Sequence, residues 1–130
     1  MRSNFEKVQQ FHRASDVENP GYPQLPMYER QMLREKLIEE EFWELKEAFS
    51  EGDVVAYADA LADLLYVVYG TADEAGIDVD AVFAEVHRSN MSKVGADGKV
   101  LKRADGKILK PDTYSPPDVE SVLDAQAVWG

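Results

Sequence analysis

The sequence lacks cysteine altogether, and it has few basic residues for its many acidic ones. Its 130 residues include 25 Asp and Glu against 14 Lys and Arg, which gives a formal charge of −11. The absence of cysteine excludes disulfides and thiolate sites and is consistent with a reducing cytoplasm. The negative charge argues against nucleic acids and anionic membranes as partners, because their phosphates would be repelled. The first ten residues contain no apolar segment of the kind that a secretory signal requires. We therefore expect a cytoplasmic protein that binds neither nucleic acid nor membrane.

The remaining composition and the helix signals predict an all-α fold with a four-helix core. A hydrophobic content of 45% is enough for a core in a chain of this length. Ser3 and Glu6 have the form of a capping box, Asp53 and Asp78 are typical N-caps, and Gly52 is a typical helix stop. We expect 1–130 to form a single domain, with a helical core over about 3–93 and a basic arm and tail over 94–130. The predicted helices span about residues 3–15, 27–50, 54–76 and 79–93, with a shorter one over 118–126 and a tail at 127–130.

The second predicted helix places acidic residues among its apolar ones. At about 100° per residue, Glu41 and Glu44 fall inside the apolar arc, and Glu40 falls at its edge. An ionised carboxylate removed from water costs several kcal/mol unless something compensates it. The pattern therefore predicts a cation at these side chains.

The third predicted helix is apolar at every angle, and residues 54–71 contain no Lys or Arg. We expect it to be buried nearly all round. Asp59 and Asp63 are spaced i, i+4 and share a face, close to the line of Tyr66. Each Asp would cost roughly 2.5–3.5 kcal/mol at the centre of a bilayer, which argues against a membrane span. Four helices of a 130-residue chain cannot easily cover such a helix, so we predict at least a dimer.

The acidic faces of these two helices can meet, because a short connection makes the helices antiparallel neighbours. The candidate metal ligands are Glu40, Glu41, Glu44, Asp59 and Asp63. Oxygen ligands without His or Cys suit Mg²⁺, Mn²⁺ or Ca²⁺ and not Zn²⁺. Such ions neutralise polyphosphates and orient an attacking water, whose proton a spare carboxylate can take. The pattern is typical of phosphate-ester or anhydride chemistry.

Two further segments carry candidate binding residues, and each has an alternative interpretation. Seven of the fourteen basic residues lie in 88–110, around Asp-Gly-Lys turn signals at 97–99 and 105–107 that predict a short irregular hairpin or an extended arm. This segment is either a phosphate clamp or an ordinary solvated hairpin. Phe11 and His12 lie on a helical stripe that is either part of the core or a contact for a base, and the stripe alone does not choose.

These motifs resemble the all-α nucleoside triphosphate pyrophosphatases, which include MazG, the phosphoribosyl-ATP pyrophosphatases and the dimeric dUTPases. The shared pattern is E-E-x-x-E at 40–44, followed by Asp63. The small single-domain MazG-like proteins also share V-x-x-F-H at 8–12, E-V-H-x-S-N-M-S-K at 85–93 and a D-G-K…K-P arm at 97–111. The chain departs from the family's E-x-x-D at Ala60, where Asp59 is the obvious substitute. That departure leaves open how many ions are bound.

The resemblance implies Mg²⁺-dependent cleavage of a nucleoside triphosphate to a monophosphate and pyrophosphate, with Mn²⁺ able to substitute. It implies a house-cleaning enzyme for (deoxy)nucleotides, with dUTP or another pyrimidine favoured, in a dimer whose helices form a shared bundle, sometimes doubled to a tetramer. Glu41, Glu44 and Asp63 would bind the metal, and Glu40 would bind it or act as base, so that Glu40 and Glu41 are the predicted catalytic residues. The predicted substrate contacts are Phe11, His12, Tyr66, Asn90, Lys93, Lys107, Lys110 and Tyr114.

Two alternatives belong to other functional classes. A di-iron carboxylate bundle would need Glu-x-x-His, but Gln9 and Ala84 stand three residues before His12 and His87. A non-enzymatic helical adaptor would pair its acids with a basic partner. It predicts that Mg²⁺ leaves thermal stability unchanged.

Overall fold

The computed structural model describes residues 1–127, and its secondary structure confirms the all-α fold. The helices are α1 (Asn4–Ala14), α2 (Tyr28–Glu51), α3 (Val54–Glu74), α4 (Val79–Met91) and α5 (Val119–Ala127). The described chain forms two compact units, residues 1–79 and 80–127. The predicted tail at 128–130 lies outside the described residues.

The helix ends follow the predicted signals. Ser3 Oγ accepts a hydrogen bond from the Glu6 backbone N–H at 3.1 Å, and Glu6 Oε1 accepts one from the Ser3 backbone N–H at 2.8 Å. This is the capping box, and it satisfies two N–H groups that the start of a helix leaves unpaired. Asp53 Oδ1 accepts hydrogen bonds from the backbone N–H groups of Val55 at 3.1 Å and Ala56 at 3.0 Å, near the start of α3. Gly52 ends α2 with φ 69°, a conformation that costs glycine little.

In the first unit, α3 packs against both α1 and α2. The buried apolar side chains of this unit are few: Phe5, Val8, Ala48, Ala60 and Ala75. Most of α3 remains accessible, with Leu65 53% exposed. The expectation that α3 is buried nearly all round is therefore wrong for the single chain, because two helices cover only part of its circumference.

The same helix is the one that could be taken for a membrane span. Its most apolar 18-residue window has a mean hydropathy of 1.3, and 11% of that window is buried in the described chain. By length and composition alone it could cross a bilayer. The half-buried Asp63 near its middle opposes that interpretation, since a central Asp is costly in lipid.

A buried polar network closes the C-terminal end of α3. Asp73 is 0% exposed. Its Oδ2 lies 2.8 Å from His12 Nδ1 and also contacts the Arg13 guanidinium. Its Oδ1 accepts hydrogen bonds from Gln9 Nε2 at 3.3 Å and Asn19 Nδ2 at 3.0 Å. One carboxylate thus fastens α1 and the following loop to α3, with its charge fully partnered, as burial requires.

A second set of contacts links α2 and the loop to the same end of α3. Arg34 donates to the Val67 carbonyl at 2.8 Å and to Thr71 Oγ1 at 3.1 Å. The Gln24 backbone N–H donates to the Ala75 carbonyl at 2.8 Å. A Cβ built at Gly70 would lie 2.6 Å from Arg34 Nη2 and 2.8 Å from His12 Nε2, so only glycine allows both side chains to approach. The loop at 15–27 thus connects α1 to α2, and the hydrogen bond from Gln24 holds it to the C-terminal end of α3.

The second unit contains α4, the arm and α5. The arm has the predicted irregular form, with isolated antiparallel bridges at Val94–Val100 and Lys102–Ile108. It consists of two copies of one turn, ADGKVLK at 96–102 and ADGKILK at 104–110. In each copy the Asp Oδ1 accepts a 3.0 Å hydrogen bond from the backbone N–H two residues later. The copies therefore match in backbone structure as well as in sequence.

The start of α5 is joined to α4 by Glu85. Arg88 donates from Nε and Nη2 to its carboxylate, both at 2.8 Å, and the Asp118 backbone N–H donates to it at 2.7 Å. The bond from Arg88, followed by that from Asp118, lowers the pKa of Glu85 to about 2.

Candidate metal centre

Three carboxylates meet where α2 and α3 pack together. One oxygen from each of Glu41, Glu44 and Asp63 lies within 4.8 Å of the others. Glu41 and Glu44 are one turn apart on α2 and so project from one face. Asp63 comes from α3, which returns alongside α2 after Gly52 and Asp53. Short sequence spacing and a tight connection are enough to build the group.

This group carries uncompensated negative charge. Glu41 and Asp63 are half-buried, and Glu44 is exposed. Glu41 Oε2 is buried and has no hydrogen-bond partner. None of the ion pairs found among residues 1–127 involves these three side chains. An unpaired buried carboxylate oxygen is costly, and such an atom in a native structure calls for a bound ion or water to satisfy it.

The protonation behaviour of the group follows from its burial and crowding. Burial raises the pKa of Glu41, and the neighbouring Glu44 and then the charges of Asp63 and Asp59 raise it further. Burial also raises the pKa of Asp63, followed by the charges of Asp59 and Glu44. These are the two effects expected when like charges share a poorly solvated site. A divalent cation would reverse both.

The donor set fits a hard cation. It consists of carboxylate oxygens, and no His joins it among the described residues. Mg²⁺, Mn²⁺ and Ca²⁺ prefer such ligands, and Mg²⁺ keeps open positions for water or phosphate oxygens. Glu41, Glu44 and Asp63 are the residues that would hold the ion.

The other two predicted ligands lie outside this group. Asp59 is exposed, although its charge acts on both Glu41 and Asp63. Glu40 is exposed on α2 beside Glu41. Ala60, at the position of the family's Glu, is 3% exposed and contributes only a methyl group. The structure thus brings three of the five predicted ligands together.

The predicted base contacts, Phe11 and His12, lie in different surroundings: Phe11 is exposed beside Tyr66, a further predicted substrate contact, and His12 is buried. Phe11 and Tyr66 lie edge to face, with ring centroids 5.9 Å apart, and are 56% and 41% exposed. Tyr66 is one turn after Asp63 on α3. His12 is buried and bonded to Asp73. Phe5 and Val8 of the same stripe are buried core residues, which confirms the core interpretation for that part of the stripe, and a base contact by Phe11 stays a prediction.

The predicted phosphate contacts lie in the second unit. Lys93 Nζ and Lys110 Nζ lie 5.6 and 5.0 Å from the Tyr114 ring centroid, and Asn90 Oδ1 lies 3.2 Å from Lys93 Nζ. Lys107 is exposed in the second turn of the arm. In the part of the chain that the structure describes, none of these lysines forms an ion pair. Two ammonium groups beside one ring without a carboxylate suit an anion.

Comparison with known proteins agrees with this chemistry. A family model of phosphoribosyl-ATP pyrophosphohydrolase matches residues 8–90, well over half of the chain, and includes the three carboxylates. A protein of Acanthamoeba polyphaga mimivirus without a characterised function is 32% identical over an alignment of 87 residues, and the match covers 60% of this chain and 33% of the viral protein. The chain thus spans about a third of the length of that relative.

A solved structure extends the comparison to the fold. A candidate NTP pyrophosphohydrolase from Exiguobacterium sp. 255-15 is 27% identical, with a TM-score of 0.50, and the match covers 98% of this chain and 95% of that one. The resemblance based on E-E-x-x-E and the motifs around it is confirmed. The chain belongs to the phosphoribosyl-ATP pyrophosphohydrolase family, whose name describes the hydrolysis of a phosphoric anhydride.

Proposed function

We propose that this protein is an Mg²⁺-dependent pyrophosphohydrolase that cleaves a nucleoside triphosphate between its α and β phosphates. The observation that carries the proposal is the group of Glu41, Glu44 and Asp63, which has a buried, unpartnered oxygen and no basic partner among residues 1–127. Family membership and the Exiguobacterium structure support the same reaction class.

In the proposed mechanism Glu41, Glu44 and Asp63 would hold the ion, which would supply positive charge for the phosphate oxygens. Glu40 lies next to Glu41 and is exposed to water, so its carboxylate is the candidate base. It accepts a proton from the attacking water as the water oxygen bonds to the α phosphorus. The bond from that phosphorus to the bridging oxygen breaks, and pyrophosphate leaves with the bridging oxygen.

For the substrate we propose a (deoxy)nucleoside triphosphate with a pyrimidine base such as uracil. Phe11 and Tyr66 offer an exposed aromatic surface that suits a base, and Tyr66 lies one turn from Asp63 on α3. Asn90, Lys93, Lys107, Lys110 and Tyr114 offer donors for phosphate or sugar oxygens. A contact from His12 to the base stays a prediction, and its Nδ1 is already engaged by Asp73.

We propose that the working form is a homodimer or a tetramer in the cytoplasm. The support is the apolar surface that α2 and α3 leave uncovered, including Phe42 at 47%, Phe49 at 76% and Leu65 at 53% exposure. Burial of apolar surface yields roughly 25 cal/mol per Å², so pairing of these faces would stabilise an assembly. Light scattering should give at least twice the monomer mass, and a monomer at micromolar concentration would contradict the proposal.

The reaction is tested by incubating the protein with the common ribo- and deoxyribonucleoside triphosphates and Mg²⁺, followed by ³¹P NMR of the products. We expect monophosphate and pyrophosphate, with pyrimidine substrates turned over fastest. Hydrolysis in ¹⁸O-water should place the label in the monophosphate. No turnover of any nucleotide by folded protein, or release of orthophosphate from the γ position, would contradict the proposal.

The same sample separates the two alternatives. An adaptor whose acids await a basic partner predicts no change of melting temperature with Mg²⁺, whereas a metal centre predicts a rise. A di-iron centre predicts iron in the purified protein. The three-carboxylate group contains no histidine among the described residues, which is why we favour magnesium.

A further inference from the structure

The number of ions at the centre can be inferred from which carboxylates converge. Among residues 1–127, Glu41, Glu44 and Asp63 are the group whose ligand atoms lie close enough to share an ion. Mg²⁺ in proteins is typically held by one or two carboxylates, with water and phosphate oxygens completing its shell. Three convergent carboxylates therefore suffice for one ion.

A second ion would need ligands of its own. Two-metal centres place their ions about 3.5–4 Å apart, so further carboxylates must reach the same small volume. On α3 the two positions one turn before Asp63 are Asp59 and Ala60. Ala60 is buried and has no donor atom, and Asp59 is exposed and lies outside the convergent group. On α2 the remaining candidate, Glu40, is exposed and also outside the group.

Asp59 nevertheless affects the centre. Its negative charge acts on both Glu41 and Asp63. A carboxylate that is near the ligands without converging on them strengthens cation binding through its charge, by an amount that falls as its distance from the ion grows.

We propose that this centre binds a single divalent cation per chain, held by Glu41, Glu44 and Asp63, and that Asp59 attracts the ion from outside the coordination shell. The proposal rests on the proposed function, because it concerns the metal of that same site. Asp59 is thus a positioning residue for charge and not the substitute ligand that the family pattern implies.

The test is a titration of the metal-free protein with Mn²⁺ alone at 0.15 M salt, with free ion measured by its EPR signal. We expect one tight ion per chain, which is absent in Asp63→Asn. Two tight ions per chain would overturn this inference and leave the proposed function intact. No tight ion in the folded wild-type protein would overturn the metal site itself, and with it the proposed function.

Variants at the flanking position separate a ligand from an outer charge. Asp59→Asn should keep the stoichiometry at one and weaken binding roughly threefold, as expected for one charge removed one helical turn, about 6 Å, from a divalent ion in water at this salt concentration. Glu29→Gln is the matched control, with the same charge change near the start of α2 and beyond the screening length, so binding should not change. A fall in stoichiometry in Asp59→Asn, or an affinity equal to that of the wild type, would overturn the role assigned to Asp59.

Discussion

The carboxylates of Glu41 and Asp63, on neighbouring helices, have oxygens within 4.8 Å of each other, and neither side chain forms an ion pair with a described basic residue. Burial and like charge raise the pKa of both. Two acids in this relationship destabilise the metal-free fold at neutral pH and create a strong site for a cation.

Neutralising Glu41 should stabilise the metal-free protein. A carboxyl whose folded-state pKa is raised binds more protons when folded, so stability falls as pH rises from its unfolded value, about 4.5 for Glu, through the folded one. Glu41→Gln should therefore melt higher than wild type at pH 7 in EDTA, and the difference should shrink towards pH 4. Each kcal/mol would correspond to about 4 °C in melting temperature.

The control for this comparison is Glu39→Gln, which removes an exposed acid from the opposite face of α2. It should show no such pH-dependent gain. A Glu41→Gln variant that melts below wild type at pH 7 without metal would show that the carboxylate makes a favourable contact in the apo state.

Added metal should reverse the order of stability. Mg²⁺ at about 100 times its dissociation constant stabilises the folded state by about 2.7 kcal/mol. Wild type should therefore gain melting temperature with Mg²⁺ in calorimetry or thermal-shift assays, whereas Asp63→Asn should gain almost none. Equal gains in both proteins would place the ion elsewhere.

The repeated turn of the arm offers a matched pair of lysine variants. Lys110 and Lys102 occupy the same position in the two copies of ADGK[VI]LK, but the Lys110 ammonium lies 5.0 Å from the Tyr114 ring. If Lys110 binds substrate phosphate, Lys110→Ala should raise KM for the triphosphate roughly ten- to a hundredfold, as expected for one charged hydrogen bond of about 1.5–3 kcal/mol. Lys102→Ala should leave KM near the wild-type value. Equal effects of the two substitutions would mean that general positive charge, and not the Tyr114 group, attracts the substrate.

Asp73 should contribute more to stability than any other single acid of the first unit. It is fully buried and contacts His12, Arg13, Gln9 and Asn19. Removing one partner of a buried ion pair typically costs about 3–5 kcal/mol, so Asp73→Ala should lower the free energy of unfolding in urea by that amount. The exposed pair of Asp105 and Arg103 is the control, and Asp105→Ala should cost far less. Similar losses from both would contradict the anchoring role of Asp73.

The helices and the three-carboxylate group were predictable because both depend on local spacing. Glu41 and Glu44 are one turn apart, and a tight connection at Gly52 and Asp53 brings α3 back beside α2. Capping residues set the ends of α1 and α3 as the sequence indicated. Each of these signals, a spacing of one turn, a tight connection or a capping residue, involves residues only a few positions apart in the sequence.

The features that the sequence did not predict depend on contacts between residues that are far apart along the chain. The four partners of Asp73 lie 54–64 positions away in the sequence, so nothing local distinguishes Asp73 from the solvated Asp residues. The same contacts bury His12, which periodicity grouped with the exposed Phe11. The apolarity of α3 indicated that it needs to be covered, but α1 and α2 provide only part of that cover.

The most direct test of the central claim is Mg²⁺-dependent pyrophosphate release by wild type, Glu41→Gln and Asp63→Asn, with folding checked by circular dichroism. We expect wild type to release pyrophosphate from a nucleoside triphosphate with Mg²⁺ and not in EDTA, and we expect both folded variants to lose this activity. Activity that persists in EDTA, or in either folded variant, would contradict a catalytic ion held by these carboxylates.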